Sequence, residues 1–145
     1  GNNAQLGQRL GLLATGRFGE QELGFIGHPA AGPGFDDAQA LAHHLEHVLN
    51  RPVTQVGQAQ TAIKNIAWCS GGAQGYFEAA IAAGAQAFIT GEISEPQAHL
   101  ARECGVVFYA CGHHATERYG APAMAAHVAA RLGIAHQFIE IDNPA

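Results

Sequence analysis

Charge is what this chain has least of. Only 13% of its 145 residues are charged, 12 Asp+Glu against 7 Lys+Arg, and Lys64 is the single lysine among the seven. Without a basic run to neutralise successive phosphates, groove binding to nucleic acid is not expected. No stretch approaches the roughly 18 uninterrupted apolar residues of a membrane span. The N-terminus also lacks the basic-then-apolar order of a secretion signal. Three cysteines, Cys69, Cys104 and Cys111, are odd in number and show no CxxC spacing. That argues against a disulfide framework or a zinc knuckle and for the reducing cytoplasm. An initiator methionine is missing too: the chain opens GNNAQLGQRLGLLATG, so either a tag was removed or an N-terminal portion is absent. There is no internal repeat and no low-complexity tail.

What is present is apolar. Hydrophobic residues make up 48%, which excludes disorder and favours a compact, well-buried or self-associating protein of one domain. Leu6, Leu10 and Leu13, spaced by four and three, predict a helix over residues 3–14. Gly and Pro density then marks turns around one short strand near 23–26. Asp36 or Asp37 caps a helix that runs to Leu49 and breaks at Asn50-Arg51-Pro52, and a short strand follows over 53–56. From Ile63 onward the pattern becomes regular: strands over 63–68, 87–90, 106–110 and 137–141 alternate with helices over 73–85, 94–104 and 113–132. This is the α/β pattern of a layered sheet with helices packed on it. AFIT and VVFYAC are continuous apolar runs, as suits strands buried on both faces.

In such a sheet, function sits beyond the carboxyl ends of the strands. Three loops qualify: CSGGAQG, TGEISEPQAH and CGHHATERYG, which share one edge if their strands are parallel. The third is the richest. With a helix starting near His113, His113 and Glu117 stand at i and i+4 on one face, a spacing that lets one Zn, Mn or Fe ion touch both. The alternative is that His113 and His114 are polar groups at a helix start and Glu117 pairs with Arg118 or solvent. Two ligands are fewer than a metal site needs, and Glu92 and His99 are the local candidates to help. Glu92 can equally be a carboxylate favoured by the helix dipole, and His99 a half-buried helix histidine. His114 projects about 100° from His113, toward a supporting partner or a substrate.

The loop over 70–75, with Gly71 and Gly72, could present backbone N–H groups to an anion, but it matches neither nucleotide-binding glycine pattern and can equally be a tight turn. His43, His44 and His47 lie mid-helix among Leu41, Leu45 and Leu49 without the order HExxH, and read as a polar helix face. Cys69 and Cys111 end buried strands and read as inert thiols rather than nucleophiles.

Four stretches, GNNAQL, IAWCSGGAQGYFEAAIAAGAQAFITGEISE, FYACGHHATERYG and FIEIDNPA, together resemble the GTP cyclohydrolase 1 type 2 homologue family, also called the Ngg-interacting-factor-three-like family. The resemblance is strongest from Ile63 to Ala145 and weak between Arg17 and Gln60. It implies two interlocked α/β lobes, a ring-shaped homohexamer, and a pair of divalent metal ions in the cleft. The family's HxxxE falls here on His113 and Glu117. Its other ligands, an N-terminal His-His-Gly segment and an aspartate shortly before GNNAQL, have no counterpart in this sequence. The chain is therefore expected to correspond to the C-terminal portion of a family protein. Residues 1–62 would form a helix plus a variable α/β segment, and 63–145 the regular unit carrying the metal motif. The family name implies metal-activated water attacking the purine ring of GTP. On that reading Gly71, Gly72, Glu92, His99 and His114 line a pocket for a nucleotide-like small molecule. The other reading is a metal-binding assembly or partner-interaction module.

Overall fold

The computed structural model describes residues 1–59 and 61–144. Gln60 and Ala145, which close the weakly matching segment and the terminal motif, lie outside the described residues. Six strands form one mixed sheet: β1 (Leu12–Phe18), β2 (Gly24–Pro29), β3 (Thr54–Val56), β4 (Ile66–Trp68), β5 (Ala87–Thr90) and β6 (Val107–Ala110). Their spatial order is β1-β2-β4-β5-β6-β3. The central three are parallel, with Ala67 opposite Phe88 and Phe88 opposite Phe108. Both flanks are antiparallel.

Alternation along the central strands splits the apolar residues between two cores, because successive side chains leave opposite faces of a sheet. Ile66, Trp68, Ile89, Val107 and Tyr109 face one way. They meet Leu6 and Leu10 of α1 (Asn2–Arg9) and Leu41, Leu45 and Leu49 of α2 (Ala38–Leu49). Ala67, Phe88 and Phe108 face the other way and pack on Phe77 and Ala80 of α3 (Phe77–Ala82) and Ala101 of α4 (Glu95–Cys104). The result is a three-layer α/β unit, with strands from before and after Ile63 sharing the sheet. Phe88 lies 5.7 Å from Phe77 and 5.5 Å from Phe108 between ring centres, edge-on to the latter. Asp37 caps α2 by accepting from the Ala40 N–H at 2.8 Å, as its position before the apolar run predicts. Among the described residues no helix is long and apolar enough to cross a membrane.

The structure corrects three sequence expectations. The first helix ends at Arg9, and residues 12–18 form an edge strand, leaving Leu13 53% exposed. Leu6 and Leu10 are buried in the helical register, but Leu13 belongs to the strand, where pairing with β2 replaces the i, i+4 pattern. The expected long helix over 113–132 is two: α5 (His113–Glu117) and α6 (Gly120–Leu132). The break falls at Arg118-Tyr119, where Asn2 Oδ1 accepts from the Gly120 N–H at 2.7 Å and starts a new helix from outside the segment. The closing strand over 137–141 is absent. Residues 134–144 form neither helix nor strand, and Ile134, Phe138, Ile139 and Ile141 stay exposed. A strand pattern needs a neighbouring strand to satisfy its backbone, and this segment pairs with none among the described residues.

Candidate metal centre at the strand ends

The parallel order of β4, β5 and β6 brings the loops that follow them to one edge, and their backbones bond to one another. The Gly91 N–H donates to the Gly71 carbonyl at 2.9 Å, and the Gly112 N–H to the Gly91 carbonyl at 2.8 Å. Two threonines with no solvent exposure complete the seam. The Thr116 hydroxyl accepts from the Gly71 N–H at 2.9 Å and donates to the Gly112 carbonyl at 3.0 Å. The Thr90 hydroxyl donates to the Gly71 carbonyl at 3.1 Å. The Thr116 hydroxyl satisfies the Gly71 N–H, which would otherwise be buried unpaired at a cost of about 1–3 kcal/mol, while the Thr90 hydroxyl finds its own partner in a carbonyl already bonded to Gly91. Sequence reasoning missed both; the visible signal was a threonine ending one apolar run and another between the histidine and glutamate of HxxxE.

On this seam His113 opens α5 and lies between two carboxylates. Its Nδ1 is 2.5 Å from Glu92 Oε1, and its Nε2 is 3.1 Å from Glu117 Oε2. The three side chains are each a little over two-fifths exposed, so they line an open surface rather than a sealed interior. Glu92 is held in turn: its Oε2 accepts from Gln74 Nε2 at 3.3 Å, and Gln74 Nε2 also lies 3.4 Å from Ser94 Oγ. Gly72 borders the Glu92 carboxylate.

Glu92 is held below the ordinary carboxylate range, first by its bond to His113 and then by Gln74. His113 is raised above the usual imidazole value, chiefly by Glu92. A raised histidine stabilises the fold fully below about 6.5, the unfolded value, and loses that contribution as pH rises through the folded value. A lowered carboxylate contributes above about 4.3, the unfolded value, and loses its contribution as pH falls through the folded value. The pair therefore supports the metal-free fold best between those limits, though solvent screening at this exposure keeps the effect small. In the metal-free chain the His113 ring proton should titrate with a midpoint above 6.5, and Glu92→Gln should bring it down. A wild-type midpoint at or below 6.5 in an NMR titration would contradict the contact.

The remaining residues singled out in the sequence go elsewhere. His114 turns from His113 and meets Glu140 at 3.3 Å, where Arg118 also donates to Glu140 at 2.8 Å. His99 sits on α4, 65% exposed, 4.0 Å from Glu95. The Ser70 and Gly71 N–H groups are taken by Asn3 Oδ1 and Thr116, so the start of that loop is a braced turn and not an anion cradle. On α2, His44 is 2.8 Å from the Leu10 carbonyl and its ring lies against Phe35, which fastens α1 to α2. Cys111 is fully buried and its thiol is pushed up to about 12 by burial. Burial raises Cys69 as well. Beside Glu117 opens a cavity of about 400 Å³ lined by Asn2, Asn3, Arg17, Phe25, Cys69 and Ser70. Of these only Ser70, in the loop over 70–75, was picked out for binding in the sequence, because the six converge from four separate elements.

Among the described residues no three His, Cys, Asp or Glu side chains converge as a metal-holding group. The reason is geometric: the two carboxylates occupy opposite nitrogens of one imidazole. Nε2 and the Glu117 carboxylate nevertheless fit a shared ion. Two donors about 2.1 Å from one tetrahedral centre lie roughly 3.4 Å apart, near the 3.1 Å between them.

Fold and site thus define an α/β protein that gathers a histidine between two carboxylates at its parallel strand ends. The family model described as Duf34/NIF3 (NGG1p interacting factor 3) matches residues 1–144. Two curated relatives named GTP cyclohydrolase 1 type 2 homolog come from Neisseria meningitidis serogroup A and Allochromatium vinosum. They are 47% and 43% identical over 145 and 157 residues, covering 100% of this chain and 57% and 56% of their own length. The solved structure of protein ybgI, described as of unknown function, matches with a TM-score of 0.90 at 38% identity. That match covers 100% of this chain and 57% of the other. The chain belongs to the Duf34/NIF3 family, and it spans a little over half the length of the relatives it matches.

Proposed function

We propose that the chain supplies the His113–Glu117 half of a two-ion divalent metal centre in a metal-dependent hydrolase, acting on a nucleotide or related small molecule. The observation that carries this is the pairing of His113 Nε2 with Glu117 at 3.1 Å, at the rim of a cavity of about 400 Å³. The relatives' name, GTP cyclohydrolase 1 type 2 homolog, supports the same reading. Zn, Mn or Fe suits imidazole and carboxylate donors, and further ligands come from outside these residues. When bound, such ions activate water and polarise the substrate. This chain's own residues hold and orient: His113 and Glu117 present their donors, Thr90 and Thr116 keep the strand ends from shifting, and Arg17 gives the cavity a positive charge. His114 and His99 have no part in it. The cysteine pattern fits the reducing cytoplasm.

A second reading, a metal-binding assembly module, is favoured by one observation. Met124 and Leu132 on α6, with Ile139 and Ile141 beyond it, are more than 60% exposed, and such a surface suits self-association into a ring of copies. The two readings separate on turnover. A protein of the relatives' full length, loaded with Zn or Mn, should consume GTP or a related nucleotide, and Glu117→Ala should abolish that activity. Metal bound without any turnover would select the assembly module.

A further inference from the structure

Nδ1 of His113 points away from the side on which Glu117 stands, and its partner there is fixed from several directions. Glu92 follows Gly91, whose N–H and carbonyl are both bonded in the seam. Its Oε1 takes Nδ1 at 2.5 Å, its Oε2 takes Gln74, and Gly72 lies beside the carboxylate. Both oxygens are thus engaged on the side of the imidazole remote from Nε2. A histidine that binds metal through one nitrogen needs its other N–H held, because that bond sets the tautomer, the ring orientation and the basicity of the ligating nitrogen.

We infer that Glu92 is the positioning residue of the centre: it accepts the Nδ1 proton of His113 and leaves Nε2 as the ligating nitrogen, with Gln74 steadying Glu92 in turn. Glu92 is then neither an ion ligand nor a substrate contact. This inference rests on the metal reading, and its test separates the two. In a ¹⁵N-labelled protein of the relatives' full length, which supplies the further ligands, Zn²⁺ titration is followed at the two imidazole nitrogens of His113.

In the wild type, Zn²⁺ should shift Nε2 while Nδ1 stays protonated and its proton remains observable. In Glu92→Ala that proton should be lost to exchange, Zn²⁺ should divide between the two nitrogens, and affinity should fall about 10–100-fold. Glu92→Gln keeps a carbonyl oxygen facing Nδ1, so it should retain Nε2 selectivity with a smaller loss, a rescue that a generic packing role would not give. It also carries the comparison if the alanine variant does not fold: E92Q must then bind Zn²⁺ through Nε2 more weakly than wild type. Zn²⁺ on Nε2 with unchanged affinity in both variants overturns the role of Glu92 and leaves the metal reading intact. Zn²⁺ that never reaches Nε2 in the wild type overturns both.

Discussion

Gly91→Ala should lower the stability of the fold by about 3 kcal/mol, the upper end of what an overpacked interior costs. Its added carbon would stand 2.6 Å from the Gly71 carbonyl oxygen and 2.7 Å from the His113 Cα. Both neighbours are backbone, so no side chain can rotate aside. Relief requires the loop after β4 and the start of α5 to move apart. That stretches the Gly91-to-Gly71 and Gly112-to-Gly91 hydrogen bonds and disturbs the two buried threonines. For a chain of this size the loss corresponds to a fall in Tm of roughly 10 °C. The control is Gly75→Ala, where nothing lies within 4 Å of the added carbon and Tm should hold within about 2 °C. A thermal melt in which the two variants behave alike would mean that the three strand ends are not fastened together.

Residues whose partners lie close in sequence were the legible ones. Asp37 before an apolar periodic run announced α2, and the apolar runs of β5 and β6 announced buried parallel strands with helices between them. The three loops meet at one edge because parallel strands place all their carboxyl ends together, a deduction available once the alternation is read. The i, i+4 pairing of His113 with Glu117 needed nothing beyond helical geometry.

What stayed hidden depends on tertiary partners. Residues 12–14 read as the end of a helix because Leu13 completes a helical spacing with Leu6 and Leu10, yet pairing with β2 makes them the start of a strand. Residues 137–141 read as a strand, but a strand is a property of two segments, and the second is missing among the described residues. Glu92 was named among the candidates, though its contact with Nδ1 could not be read: 21 residues separate it from His113, and only the order of the strands joins them. Arg17 and Asn3 reach the cavity by the same non-local route.

The largest effect on the proposed function should come from His113→Ala and Glu117→Ala, because each removes a donor from an ion that has few others. Losing a direct ligand costs more than losing a supporting partner, so affinity at that ion should fall by more than about 100-fold. Neither change should unfold the chain, since both side chains are about two-fifths exposed and lie outside the two cores. His43→Ala is the matched control, an exposed histidine on α2 that bonds within its own helix to Gln39. The deciding measurement is the number of divalent ions per chain, by elemental analysis, in a protein of the relatives' full length. Two ions are expected in the wild type and in His43→Ala, and at most one in His113→Ala and in Glu117→Ala. Two ions retained in both of the latter variants would contradict the account, and HxxxE would then be a structural feature of α5.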